Sequence, residues 1–189
     1  MYTNTLEVKT DLRVRRTRKL LWNALKTLLE TRSFDSLSVQ EICDEAMVHR
    51  TTFYKHFQDK HALLSFGIEE VKELFNGRSY EDRIRQAMRL IEETKQVGNL
   101  HMLLNTEQGN SSLNCILQQH ASDSLRQQLI EAEQNGVRFP VPIDIMAAFI
   151  SGAICSLGAW WVNQDNPFTA QDMDAYLSQL INPKTFFPE

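Results

Sequence analysis

Apolar residues recur along this chain at helical intervals, and nowhere do they alternate with polar ones for long enough to suggest a strand. Leu20, Leu21, Ala24, Leu25, Leu28 and Leu29 make one apolar stripe, which predicts a first helix over about residues 11–32. A second helix over about 39–46 opens at Ser38, where Ser38-Val39-Gln40-Glu41 fits a capping box: hydroxyl and carboxylate can satisfy orphan N–H groups reciprocally. A third covers about 50–56. A fourth runs from near Lys60 through Leu63, Leu64, Ile68, Val71, Leu74 and Phe75 to a stop at Asn76-Gly77. Further helices are expected at about 80–97, 111–135, 143–165 and 170–181, punctuated by Gly98, Gly109, Gly136, Pro140, Pro142, Asn166-Pro167 and Pro183. The fold class is therefore all-α. No repeat or Gly/Ser linker interrupts the pattern, so a continuous helix near residues 58–65 should join the two parts of the chain.

Composition narrows the picture. The chain has 189 residues, 42 % of them hydrophobic, enough for a packed core. The longest apolar run, Ala153 to Val162, is broken by Ser and Gly and falls short of the ~18 residues that a membrane span needs. Met1 to Thr5 lacks a basic start leading into an apolar segment, so a cytoplasmic protein without a membrane partner is expected. Cys43, Cys115 and Cys155 are far apart, odd in number and unpaired by any CxxC spacing, which points to reduced, buried thiols and to no metal site. The net charge of −4 is uneven: residues 1–65 hold 11 Lys+Arg against 8 Asp+Glu, net +3, and the remainder 9 against 16, net −7. A basic head on an acidic body suggests that the head meets a polyanion.

Within that head, residues 38–57 have the layout of a helix-turn-helix. Val39, Ile42, Cys43 and Ala46 would face inward from one short helix, and a turn at Met47–His49 leads into a second whose Phe53 and Phe57 anchor its inner side. The opposite face then shows Arg50, Thr51, Tyr54 and Lys55, groups able to bond base edges or phosphates. A helix that packs on its scaffold while entering a major groove needs this combination.

The run Arg50-Thr51-Thr52-Phe53-Tyr54-Lys55-His56-Phe57, with Asp59-Lys60 and Leu63-Leu64 after it, resembles the TetR family of bacterial regulators. Phe34 to Val39, Ile42 to Ala46 and Arg18 with the leucine stripe belong to the same resemblance. His49-Arg50-Thr51-Thr52-Phe53-Tyr54, together with Phe149-Ile150-Ser151-Gly152 and Trp160-Trp161, is similar to a subgroup containing the dihydroxyacetone-kinase operon activator. The resemblance implies a three-helix DNA-binding head over residues 1–60 and a helical dimerisation and effector domain over 61–189. It further implies that Gln40, Arg50, Thr51 and Tyr54 face the groove, and that Thr52, Tyr54, His56 and Lys60 hold phosphates. Lys55 joins these by its exposed placement, and Arg16 and Arg18, in a basic cluster near the start of the first helix, as arm contacts. Three positions depart from the family pattern: Ser33 and Met47, where glycine is usual, and His49, where serine is. A left-handed backbone at Met47 would cost about 1 kcal/mol.

The helix expected at about 143–165 is apolar on more than one face, which calls for a partner surface, and the last helix adds further apolar residues. Phe149, Ala153, Leu157, Trp160 and Trp161, with Met173, Tyr176, Leu177 and Leu180, are the candidates for a homodimer interface. The family implies a four-helix bundle across a two-fold axis, and a two-fold dimer matches a near-palindromic site on double-stranded DNA. An effector pocket, also implied by the family, would draw on Phe66, Phe75, Met88, Ile91, Met102, Leu103, Cys115, Ile116 and Phe149. No phosphate loop, metal-ligand spacing, nucleophile elbow or triad is present in the sequence, so neither an enzyme nor a cofactor is expected. The expected function is a dimeric repressor released from its operator by a small-molecule effector. The alternative is an activator of the same fold controlled by a protein partner.

Overall fold

A computed structural model of the chain describes residues 3–72, 77–96, 111–163 and 167–181, and among these there are nine α-helices and no strand. They are α1 (Thr3–Leu29), α2 (Val39–Glu45), α3 (Arg50–His56), α4 (Lys60–Lys72), α5 (Tyr80–Arg85), α6 (Ala87–Gln96), α7 (Ser111–Gln134), α8 (Ile143–Val162) and α9 (Ala170–Leu180), with a 3-10 turn at Phe34–Ser36. The chain divides into two compact units, Met1–Glu70 and Val71–Glu189, and α4 runs unbroken across that division.

Two elements differ from the periodicity. Helix α1 starts at Thr3, well before the apolar stripe begins, since the intervening residues contain no glycine or proline to stop it. The single helix expected over 80–97 is two, broken at Gln86, whose backbone leaves the helical region at φ −121° and ψ 25°. The break frees the Met88 N–H, which donates to the Asp174 carboxylate at 2.7 Å, while Arg89 Nε donates to its other oxygen at 2.8 Å. Asp174 is itself almost fully buried, so α9 supplies the cap for α6.

In the first unit, α1 packs on α2 and α3 around Leu21, Leu25, Phe34, Ile42, Phe53, Leu63 and Leu64, none measurably exposed. Gly67 of α4 lets the Trp22 ring lie directly on the backbone: a Cβ there would overlap the indole. In the second unit, α7 packs along α8, and Ile84, Met88, Leu129, Met146, Ile150, Trp161, Met173 and Leu177 form one core. Helix α8 is continuous from Ile143 to Val162 and, by length and composition, apolar enough to cross a membrane, contrary to the expectation from its broken run. Only a third of it is buried, so a long apolar face remains uncovered. The thiols also differ from expectation: Cys43 is buried, but Cys115 is exposed and Cys155 half-buried, its pKa pushed up to about 11 by desolvation.

Candidate nucleic-acid interface

Helix α2 begins with the expected capping box: the Glu41 amide donates to Ser38 Oγ at 3.3 Å, and the Ser38 amide to Glu41 Oε2 at 2.8 Å. The same carboxylate takes the Ser38 hydroxyl and the Arg32 guanidinium, which together hold its pKa at about 2. The helix ends in a Schellman motif, with Val48 N–H on Cys43 O at 2.9 Å and Met47 N–H on Asp44 O at 3.1 Å. Its left-handed residue is Met47, at φ 52°, the one non-glycine with positive φ among the described residues. Its side chain is 93 % exposed, so no packing offsets the backbone cost. Helix α7 closes the same way but with Gly136, at φ 98°.

Helix α3 follows directly. Phe53 and Phe57 are buried, with ring centroids 5.8 Å apart, and Phe57 meets Phe66 of α4 at 5.6 Å. That aromatic row fixes the roll of a helix only seven residues long and turns Arg50, Thr51, Tyr54 and Lys55 to solvent. Arg50 is preorganised there: its guanidinium donates to the Tyr54 hydroxyl at 3.1 Å and lies 5.4 Å from that ring's centroid. Gln40 is exposed on α2, its amide nitrogen donating to Asp44 Oδ1 at 2.7 Å. Asp44 went unrecognised in the sequence, although its spacing from Gln40, one helical turn, was the available signal.

Other expected contacts are placed differently. Lys60 does not offer its ammonium outward: Nζ donates to the carbonyls of Phe34 (2.8 Å), Asp35 (3.1 Å) and Leu37 (2.8 Å), over the Phe34 ring. An ammonium has three donors, and all three are taken inside the head, so Lys60 clamps the segment before α2. Arg18 is half-buried, its guanidinium 5.8 Å from the ring centroids of both Phe57 and Phe66, so it packs beneath α3 and does not project as an arm. Thr52 and His56 are half-buried; burial, followed by the charges of Arg18 and Lys55, lowers the His56 pKa and favours the neutral ring. Arg16 is exposed, on an α1 face with Leu12, Arg15, Lys19 and Leu20.

The second unit sorts its candidates in the same manner. Phe149, Trp160, Tyr176 and Leu180 are exposed, while Ala153 and Leu157 are half-buried. Trp161, Met173 and Leu177 are buried in their own unit, where they belong to its core, and the Trp161 indole N–H donates to Phe168 O at 2.9 Å. Of the pocket candidates, Phe66 lies in the first unit against Phe57, Met88 is sealed in the second core, and Cys115 and Phe149 face solvent. Ile91 packs partly against that core and Ile116 is half-buried, whereas Phe75, Met102 and Leu103 lie outside the described residues.

A family model for bacterial regulatory proteins of the tetR family matches residues 21–65, and one for a transcriptional regulator C-terminal region matches residues 79–183. The chain belongs to the TetR family. Among curated TetR-like relatives it is 30 % identical over 84 residues to the HTH-type dhaKLM operon transcriptional activator DhaS of Lactococcus lactis, covering 42 % of this chain and 45 % of that protein. It is 21 % identical over 175 residues to the HTH-type transcriptional regulator YxbF of Bacillus subtilis, covering 87 % of this chain and 44 % of that one. The chain thus spans less than half the length of the curated relatives it matches. Among solved folds, a TetR regulator from Streptococcus agalactiae superposes with a TM-score of 0.61 at 18 % identity, covering 92 % of this chain and 98 % of that one. The dihydroxyacetone kinase operon activator DhaS superposes with a TM-score of 0.55 at 18 % identity, covering 87 % and 93 %. Both confirm the all-α TetR-like fold.

Proposed function

We propose that the protein is a homodimeric transcriptional regulator whose α3 enters the major groove of a near-palindromic operator. The observation that carries this is the Arg50–Tyr54 pair, held outward on a helix whose inner side is sealed by Phe53 and Phe57. With one guanidinium nitrogen braced on Tyr54, the remaining donors can bond guanine O6 and N7, worth about 1–3 kcal/mol of discrimination. Gln40 and Thr51 face the same groove, and Lys55 and Arg16 supply phosphate contacts. Dimerisation uses the uncovered apolar face of α8, with Ile145, Phe149 and Trp160, together with Tyr176 and Leu180 of α9. The rest of the reading is that the dimer represses until a small molecule in the second unit lowers its affinity for the operator.

The similarity to DhaS, named as an activator, supports a second reading in which the same dimer activates transcription under a protein partner's control. A footprint overlapping the promoter supports repression; one upstream of it, with a stoichiometric partner, supports activation. The test of DNA reading is fluorescence anisotropy with genomic operator fragments at stated salt. Arg50→Ala and Tyr54→Ala should each weaken specific binding about tenfold or more and leave non-specific binding within threefold, the scale of a lost base contact. Equal weakening on all sequences would defeat it.

A further inference from the structure

We infer that Asp44 is a positioning residue that sets which edge of the Gln40 amide is offered to a base pair, and so helps choose the base read there. This rests on the DNA-reading assignment of α2 and α3. Gln40 and Asp44 stand one turn apart on α2, both exposed, joined by the 2.7 Å bond from Gln40 Nε2 to Asp44 Oδ1. An ionised carboxylate only accepts, so the nitrogen, and not the oxygen, of the amide must face Asp44, and this contact removes the usual ambiguity of an amide flip.

The consequence is chemical. A free glutamine can present donor and acceptor in either order and suits several base edges; paired donor and acceptor contacts to adenine are the commonest use. Here one amide hydrogen is committed to Asp44 and the amide is held by it, leaving Oε1 and the second N–H in fixed directions, so that acceptor and donor are offered to a base edge in one order only. Tyr54 plays the matching part for Arg50 on α3, again from one turn away. Gln40 and Arg50 therefore each have their orientation set within the protein before DNA arrives, which lowers the conformational entropy lost on binding. Asp44 also places a negative charge beside the groove. Its removal should strengthen binding to every sequence while blunting the choice of base, two effects of opposite sign that one assay separates.

The experiment measures binding of the wild type, Asp44→Ala, Gln40→Ala, the double variant and Asp44→Asn to an operator carrying all four base pairs at each half-site position. Gln40→Ala should flatten preference at one base pair per half-site, which locates its contact. Asp44→Ala should reduce preference at that same base pair about tenfold, within the range for one good base contact, while the position read by Arg50 changes less than twofold. In the Gln40→Ala background Asp44→Ala should leave base preference as it is. Asp44→Asn, still able to accept the bond, should keep the wild-type preference while binding all sequences more tightly. Unchanged preference in Asp44→Ala, or a change of equal size without Gln40, overturns the positioning role. A wild type that prefers no sequence overturns the DNA-reading assignment itself, and with it this inference.

Discussion

Lys60→Met tests whether this cation serves the DNA or the fold. The substitution keeps an apolar stem of similar length and removes the ammonium that bonds three carbonyls of the segment between α1 and α2. The bonds to Phe34 O and Leu37 O, both 2.8 Å, are partly buried; the 3.1 Å bond to Asp35 O is exposed, and water can replace it. Two partly buried bonds at about 1 kcal/mol each and a cation over the Phe34 ring at about 0.5 kcal/mol give an expected loss of about 2–3 kcal/mol. Charge-assisted bonds can be worth more, but the three share one ammonium and do not simply add. Hydrogen exchange of the α2 amides reads this directly, because it reports opening of that segment without assuming that the two units unfold together. A phosphate ligand behaves otherwise: its loss lowers the salt dependence of DNA binding by about one counterion and leaves amide protection alone. Unchanged α2 exchange in Lys60→Met, with a shallower salt slope, would refute the clamp.

The other expectations follow from equally local features. Met47→Gly should stabilise the first unit by about 0.5–1 kcal/mol, the left-handed strain removed less the extra unfolded-state freedom of glycine; slower exchange at α2 amides is the check, and faster exchange would contradict it. Glu41 titrates from 4.5 in the unfolded chain to about 2 in the folded one, so its support is complete above pH 4.5 and lost as pH falls from there towards 2. Glu41→Gln should accordingly flatten the acid limb of a stability profile measured between pH 5 and 2. Asp174→Ala should destabilise the second unit by about 3 kcal/mol, because it strands the buried Met88 N–H. Asp174→Asn, which keeps an acceptor for that N–H, should cost less than the alanine variant; equal melting temperatures for all three proteins would show that the cap contributes nothing.

Much of the head could be read from the chain because its signals are local. Ser38 and Glu41 lie three residues apart and announce where α2 begins, and Phe53 and Phe57 set the inner side of α3. Met47 stood out as a side chain where a left-handed turn was due, and its φ of 52° agrees. What the chain hid is direction over distance. Lys60 and Arg18 carry charges on long flexible stems, and only the folded positions of the Phe34–Leu37 segment and of Phe57 and Phe66 show that both turn inward. The break between α5 and α6 was invisible because its cap, Asp174, lies 86 residues from Met88. On α8 nearly every stripe is apolar, so periodicity could not separate the exposed Trp160 from the buried Trp161.

Selection of genomic fragments by the purified protein, repeated at low and high salt, bears most directly on DNA reading by α3. The wild type should retain at high salt one shared near-palindrome, with half-sites about 34–36 Å apart, one helical turn or a multiple, and Arg50→Ala with Tyr54→Ala should recover no such sequence. A wild type that recovers only unrelated fragments lost as salt rises, or a double variant that recovers the same palindrome, would contradict it.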